Sequence, residues 1–208
     1  MCNEAYRRRQ IGEIASDWAE TRVPLRFPEG LPNLPAQESV RITDRTPIIR
    51  AAADGAAEMV VRRWRWPMTH QGTGAGKPVY NFRSDGRTIA GPSRCLIPVD
   101  GFYEFTDPPP SPPDAPKPKG KPPKSKWAFT LNGHSWFAIA GIWRADAGVG
   151  EAWAMLTCPP GPDIASYHSR QVVVIRPDDY ARWLDPAVPS AELCRPLPAG
   201  SLLATQVR

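Results

Sequence analysis

Between residues 10 and 20 the apolar side chains Ile11, Ile14, Ala15 and Trp18 recur at three- and four-residue steps. That spacing gathers them on one face and predicts a short amphipathic helix packed on a core. Cys2 then sits just upstream, on a strand or a turn. Elsewhere the apolar positions fall in short runs rich in β-branched and aromatic residues: 46–51, 58–66, 94–99, 127–131, 136–143, 153–157 and 171–175. These predict strands. Two later stretches, 162–167 and 177–184, predict helices; the second opens on Pro177 followed by Asp178 and Asp179, which suit a first helical turn. Strands dominate, without the regular strand-helix alternation of a doubly wound sheet, so the class is α+β.

Proline changes this picture in two places. Its density over residues 24–37 predicts extended, irregular chain that wraps the domain. Over 107–126 the chain reads DPPPSPPDAPKPKGKPPKSK, with nine prolines, five lysines and no large apolar residue. Such a segment has nothing to bury, and predicts an extended, solvated insertion between two strands. It is either a surface insertion with no specific task or a basic arm that helps hold a phosphate backbone.

The 208 residues fit one domain with a continuous core. No apolar run approaches the roughly 20 residues of a membrane span. Met1 leads directly into polar residues rather than a signal sequence, so a soluble cytosolic protein is expected. An excess of 26 Lys and Arg over 21 Asp and Glu gives a net charge of +5, which favours an anionic partner. Cys2, Cys95, Cys158 and Cys194 are scattered, with no C-x-x-C and no histidine at zinc-ligand spacing. A reduced compartment follows, and neither a metal nor an organic cofactor is expected.

A special cysteine must therefore be special by position, and Cys2 is. Removal of Met1 leaves an α-amine, titrating near pH ~8, and a thiol on one residue. This 1,2-aminothiol condenses with an aldehyde through a Schiff base to a five-membered thiazolidine, a ring no internal cysteine can close. Three downstream segments accompany it: Asn81-Phe82-Arg83-Ser84-Asp85, the run 94–105 containing Pro98-Val99-Asp100-Gly101-Phe102-Tyr103-Glu104, and His168-Ser169-Arg170. With Met1-Cys2-Asn3 they resemble the SOS-response-associated peptidase family, whose better-known members are abasic-site processing proteins. Arg63-Trp64, Ala140-Gly141-Ile142-Trp143 and 180–184 also fall in the family's order, so the resemblance spans most of the chain.

The resemblance implies a covalent thiazolidine cross-link between Cys2 and the ring-opened aldehyde of an abasic site in single-stranded DNA. By the same resemblance Asn81 positions the amino terminus and the sugar, Glu104 is the active-site carboxylate, and His168 is the acid/base group near the opened sugar. Arg83 and Arg170 match positions that contact the phosphate backbone, as the planar guanidinium fork suits. The family also suggests that the carboxyl assists self-removal of Met1 and release of the cross-link. The expectation is a monomeric α+β domain over 1–208, mainly antiparallel strands in a curved, barrel-like sheet with a few short helices. Its partner is abasic single-stranded DNA, with no membrane, and its location is the cytoplasm, on the nucleoid when DNA is bound.

Each of these residues also has a plainer reading. Glu104, between Tyr103 and Phe105, can be the outward residue of an alternating strand. Asn81 can be a turn residue, Arg83 a surface charge, and His168 a partner for a helix C-terminus. Trp64 and Trp66 alternate with Arg63 and Arg65, and the mixture can either stack bases while neutralising phosphates or form a buried face backed by a charged one. The other six tryptophans predict core packing. The chain departs from the family pattern in three places, at five positions. Asn3-Glu4 stands where Gly-Arg is common, Arg65 where glycine is usual, and Gln171-Val172 where Met-Pro is usual. Two other functions remain on these residues: a thiol peptidase with Cys2 as amino-terminal nucleophile, and a non-catalytic single-strand binding module.

Overall fold

The computed structural model describes residues 2–69, 75–108, 120, 122–146 and 148–208. Most of the insertion at 107–126 lies outside them. Strands run in chain order as β1 (Glu4–Arg7), β2 (Leu25–Arg26), β3 (Gln37–Arg41), β4 (Arg45–Ala51), β5 (Ala57–Trp64), β6 (Trp66–Thr69), β7 (Ala75–Val79) and β8 (Asn81–Arg83). They continue as β9 (Arg94–Val99), β10 (Gly101–Thr106), β11 (Ser125–Leu131), β12 (Phe137–Asp146), β13 (Gly150–Cys158), β14 (Gln171–Val172), β15 (Val174–Ile175) and β16 (Leu202–Gln206). The two α-helices are α1 (Ile11–Trp18) and α2 (Tyr180–Leu184).

Five of these strands close a barrel in the order β5, β4, β9, β12, β13 and back to β5. A ring with an odd number of strands cannot be antiparallel throughout. The parallel pair falls between β13 and β5, where Ala152 faces Arg63 and Trp153 faces Trp64. Beyond that pairing β5 leaves the barrel, the chain passes through β6 and β7, and it returns as β8, again parallel to β13 with Asn81 opposite Met155. Arg65 makes the exit, with φ of 102° and its N–H donating to Trp153 O at 2.8 Å. The Trp64 indole N–H donates to Tyr80 O at 2.8 Å, pinning the two ends of the excursion together.

A second sheet, in the order β16, β11, β10, β1, β3, is antiparallel throughout. One of its faces covers the barrel, so that Phe102 and Phe129 share a core with Phe137, Trp64 and Trp153. On the other side α1 lays Ile11, Ile14 and Trp18 against Tyr180 and Trp183 of α2. The predicted α+β class, the curved barrel-like sheet and the few short helices are what the chain forms. Among the described residues no helix is long and apolar enough to cross a membrane.

One predicted helix is absent. Residues 162–167 form successive turns, with Ala165 N bonded to Gly161 O at 3.0 Å and both Tyr167 N and His168 N sharing Ile164 O. Gly161 N donates to Gln171 Oε1 at 2.5 Å, closing 161–171 into a compact loop that leaves no length for a helix. Gln171, one of the family departures, thus sets the loop's closure. The 177–184 prediction resolves into a 3₁₀ turn, Pro177–Asp179, that leads into α2.

Candidate active site around Cys2

Cys2 lies at the entrance to β1, and β1 runs antiparallel beside β10 with Ala5 facing Phe102. The chain before β1 therefore leads towards the Glu104 end of β10. Along β10 the side chains of Phe102 and Glu104 share a face, while Tyr103 and Phe105 share the other with Tyr6. Since Phe102 is in the core, Glu104 points inward and is only 2 % exposed. The outward reading of Glu104 is excluded.

From a different strand comes the restraint on Cys2. Asn81, at the start of β8, donates from Nδ2 to the Cys2 carbonyl at 2.7 Å. The Cys2 thiol, 1 % exposed, donates to Glu4 O at 3.4 Å. Burial pushes this thiol well above the ordinary cysteine range, and the Glu104 charge pushes the same way. Burial likewise raises the Glu104 carboxyl to about 7, against the positive amino terminus and a Phe105 backbone hydrogen bond, which both favour its ionised form. Cys2 and Glu104 thus act on one another, and the amino terminus acts on both.

His168 comes from a third part of the chain, the 161–171 loop. Tyr167 holds that loop by setting its ring edge-on to Trp127 and Phe129, at 4.8 and 5.1 Å between centroids. Burial depresses the His168 pKa first, followed by the positive amino terminus. The same terminal charge, carried by residue 1 and not by Cys2, is therefore felt by Cys2, Glu104 and His168, three residues that the sequence separates widely. Among the described residues no group of three or more His, Cys, Asp or Glu side chains is arranged to hold a metal ion, and the four cysteines are free thiols.

The cationic and aromatic candidates divide. Arg83 is exposed at the end of β8, two residues from Asn81 and on the same face of that strand. Arg63 and Arg65 are half-buried at the barrel exit. Trp64 is a core residue with 0 % exposure, stacked on Trp153 at 5.1 Å and 11° between planes, so the base-stacking reading is corrected to packing. No base can reach either face of that ring. The side chain of Trp66 lies outside the described residues. Arg170 pairs with Asp85 and with Thr157 instead of standing free.

One departure from the family pattern, Glu4, has partners that the sequence did not show. Glu4 is buried and accepts hydrogen bonds from Lys126 at 2.8 Å and Ser39 at 2.6 Å, with Arg41 at 3.9 Å. Burial opposes its ionisation, yet Lys126 and Ser39 hold its carboxyl below the usual range. Where the family commonly has an arginine, this chain has a carboxylate that draws cations from β11 and β3. The signal was in the sequence as a lone acidic residue between Cys2 and the run Arg7 to Arg9.

A family model for SOS response associated peptidases (SRAP) matches residues 1–208, the whole chain. The chain belongs to the SRAP family. Solved structures share the fold of this SRAP chain at low identity. A protein from Bordetella bronchiseptica matches with a TM-score of 0.72 and 21% identity, covering 100% of both chains. A protein from Bacteroides thetaiotaomicron gives 0.70 at 16% identity, over 100% of this chain and 92% of that one. A phage-related protein from Bordetella bronchiseptica gives 0.67 at 19%, over 100% and 94%. No curated protein matches the sequence.

Proposed function

We propose that this SRAP protein captures the ring-opened aldehyde of an abasic site in single-stranded DNA as a thiazolidine on Cys2. The observation that carries the reading is the Asn81 clamp at 2.7 Å on the Cys2 carbonyl, set beside a buried carboxyl that titrates at about 7. Peptide-bonded to Met1, the Cys2 nitrogen is an amide; removal of Met1 is the entry step.

The freed amine adds to the aldehyde carbon. Protonated Glu104 gives its proton to the departing hydroxyl, water leaves, and a Schiff base remains. The Cys2 sulfur then bonds to the imine carbon as the C=N π pair moves to nitrogen. Because burial keeps the thiol protonated, the step needs a base, and the Glu104 carboxylate left by the first transfer supplies it. The Schiff base left by the departing water is protonated, so the ring nitrogen already carries its hydrogen, and the thiol proton stays on Glu104, restoring the acid. Aldehyde and aminothiol thus give thiazolidine and one water. A carboxyl at about 7 populates both forms at neutral pH, as a donor that becomes an acceptor requires. His168 moves protons at the sugar, and Arg83 meets the phosphate backbone.

A thiol peptidase acting on other chains is the reading that the family's description favours. One experiment tests the proposal: incubate Met1-free protein with an abasic single-stranded oligonucleotide and resolve the mixture on a denaturing gel. A heat-stable adduct of one protein and one strand, absent with Cys2→Ala, is expected. An adduct that survives Cys2→Ala would overturn it, as would no adduct from protein whose intact mass shows Met1 gone.

A further inference from the structure

One face of the barrel carries arginines in line. Arg45 of β4 is opposite Arg63 of β5, Arg63 is opposite Ala152 of β13, and Ala152 is opposite Arg144 of β12. Residues opposite one another on paired strands share a side of the sheet, so all four lie on the side turned away from Trp64. Neighbouring strands run about 4.8 Å apart, which sets the three arginines in a band roughly 14 Å wide with one small residue among them.

Such a band works against folding, because like charges directly opposite one another on paired strands repel. On the Trp64 side of the same strands the chain neutralises its arginines. There Arg50 pairs with Glu58 at 3.3 Å and Glu151 at 2.9 Å, and Arg62 pairs with Glu151 at 2.5 Å and Glu29 at 2.7 Å. One position further along each strand pair the treatment changes. Among the described residues neither Arg45 nor Arg63 is paired with a carboxylate; Arg45 is exposed and spends one N–H on Val61 O at 3.0 Å. Arg144 stands 3.7 Å from Asp146.

We infer that Arg45 and Arg63, continued by Arg144, form a contact surface for the phosphate backbone of single-stranded DNA, on nucleotides flanking the one held at Cys2. A guanidinium fork binds phosphate oxygens bidentately, and a net charge of +5 draws a polyanion to the chain. The band's place in the barrel suits a flanking contact. β5 leaves after Trp64 and its place beside β13 passes to β8, so Arg63 opposite Ala152 and Asn81 opposite Met155 follow one another along one edge. About 10 Å of strand separates the two registers. Arg63 takes the opposite side of the sheet from Asn81, which keeps the band off the reacting sugar. That the flanked nucleotide is an abasic one rests on the proposed function; the phosphate contact does not.

Equilibrium binding of the full chain to an undamaged single-stranded oligonucleotide, read by fluorescence anisotropy across a salt series, tests the band without any cross-link. Arg45→Ala and Arg63→Ala are each expected to lower the slope of log affinity against log salt by about 0.7, and the double variant by about 1.4. Arg45→Lys keeps the slope because it keeps the charge. Arg182→Ala also keeps it, since that variant removes an equal charge already paired with Asp179 and Glu192. A wild-type slope in the double variant overturns the inference. So does an equal drop in Arg182→Ala, which would leave only net charge at work. Inorganic phosphate that displaces the strand at ionic strengths where chloride does not would mark a free-anion site and overturn it as well. If the expected slopes appear but wild-type protein freed of Met1 forms no adduct with an abasic strand, the proposed function fails and the band stands.

Discussion

Asn81 grips Cys2 by its backbone, donating at 2.7 Å to a carbonyl 79 positions earlier in the chain. Chain termini fray unless something ties them down. Here the tie is an amide on β8, which is itself locked in register to β13 with Asn81 opposite Met155. Whatever reacts at residue 2 starts from a held position, and the entropy of alignment is already spent in folding.

Asn81→Ala is expected to slow adduct formation about 10- to 100-fold, since a misplacement of roughly 1 Å costs a reacting pair that much. The lost hydrogen bond itself is worth only about 1 kcal/mol of stability. Single-turnover adduct rates beside a thermal melt decide the matter. A melt that drops while the rate holds would make the bond purely structural.

Glu104 ties stability to pH. Its folded-state pKa of about 7 lies above the unfolded value of ~4.3, so the folded protein favours the protonated carboxyl. That contribution is fully present below ~4.3, fades as pH rises and is gone above about 7. Glu104→Gln, uncharged throughout, is therefore expected to melt higher than wild type at pH 8, by up to about 3 kcal/mol, with the gap closing towards pH 4. The same variant loses adduct formation. Melts of both proteins across that range check the sign, and a gap that widens on acidification would contradict it.

Arg65 stands at a φ of 102° where the barrel is left, a conformation that glycine adopts freely and arginine does not. Arg65→Gly is expected to stabilise the protein by roughly 0.5–1 kcal/mol, the relief of strain being partly offset by glycine's freedom when unfolded. For a chain of this size that is a rise of about 2–4 °C per kcal/mol in melting temperature. Arg65→Ala keeps the strained backbone and serves as the control.

Arg83 and Trp64 should separate in DNA binding. Arg83→Ala is expected to lower the slope of log affinity against log salt by about 0.7, one phosphate contact on a single strand. Trp64→Phe is expected to leave that slope alone and cost about 1–3 kcal/mol of stability, from lost volume and the lost indole bond to Tyr80. Salt titrations of both variants with one oligonucleotide give the comparison.

What could be read from the chain depended on whether a local pattern carried the information. The Ile11, Ile14, Trp18 face foretold α1, and runs of β-branched residues foretold every strand of the barrel. β1 could not be read that way. Glu4 and Arg7 look like surface residues, yet both are buried, Glu4 by Lys126 and Ser39, and Arg7 by the carbonyls of Arg9 and Pro35. Alternation at 62–66 put Trp64 on one face, but a period of two does not say which face is inside. The site residues were legible as a set through family likeness, whereas the partners of Arg170 were not, because an ion pair with Asp85 leaves no periodic trace.

The barrel's single parallel seam also orders events in time. Cys2 is made before its surroundings: β5 gains its parallel neighbour only when residues 150–158 have been made, and the His168 loop follows later still. A growing chain therefore carries its thiol through most of translation with its surroundings unbuilt. The topology thus makes residue 2 wait for the strand and the loop that surround it.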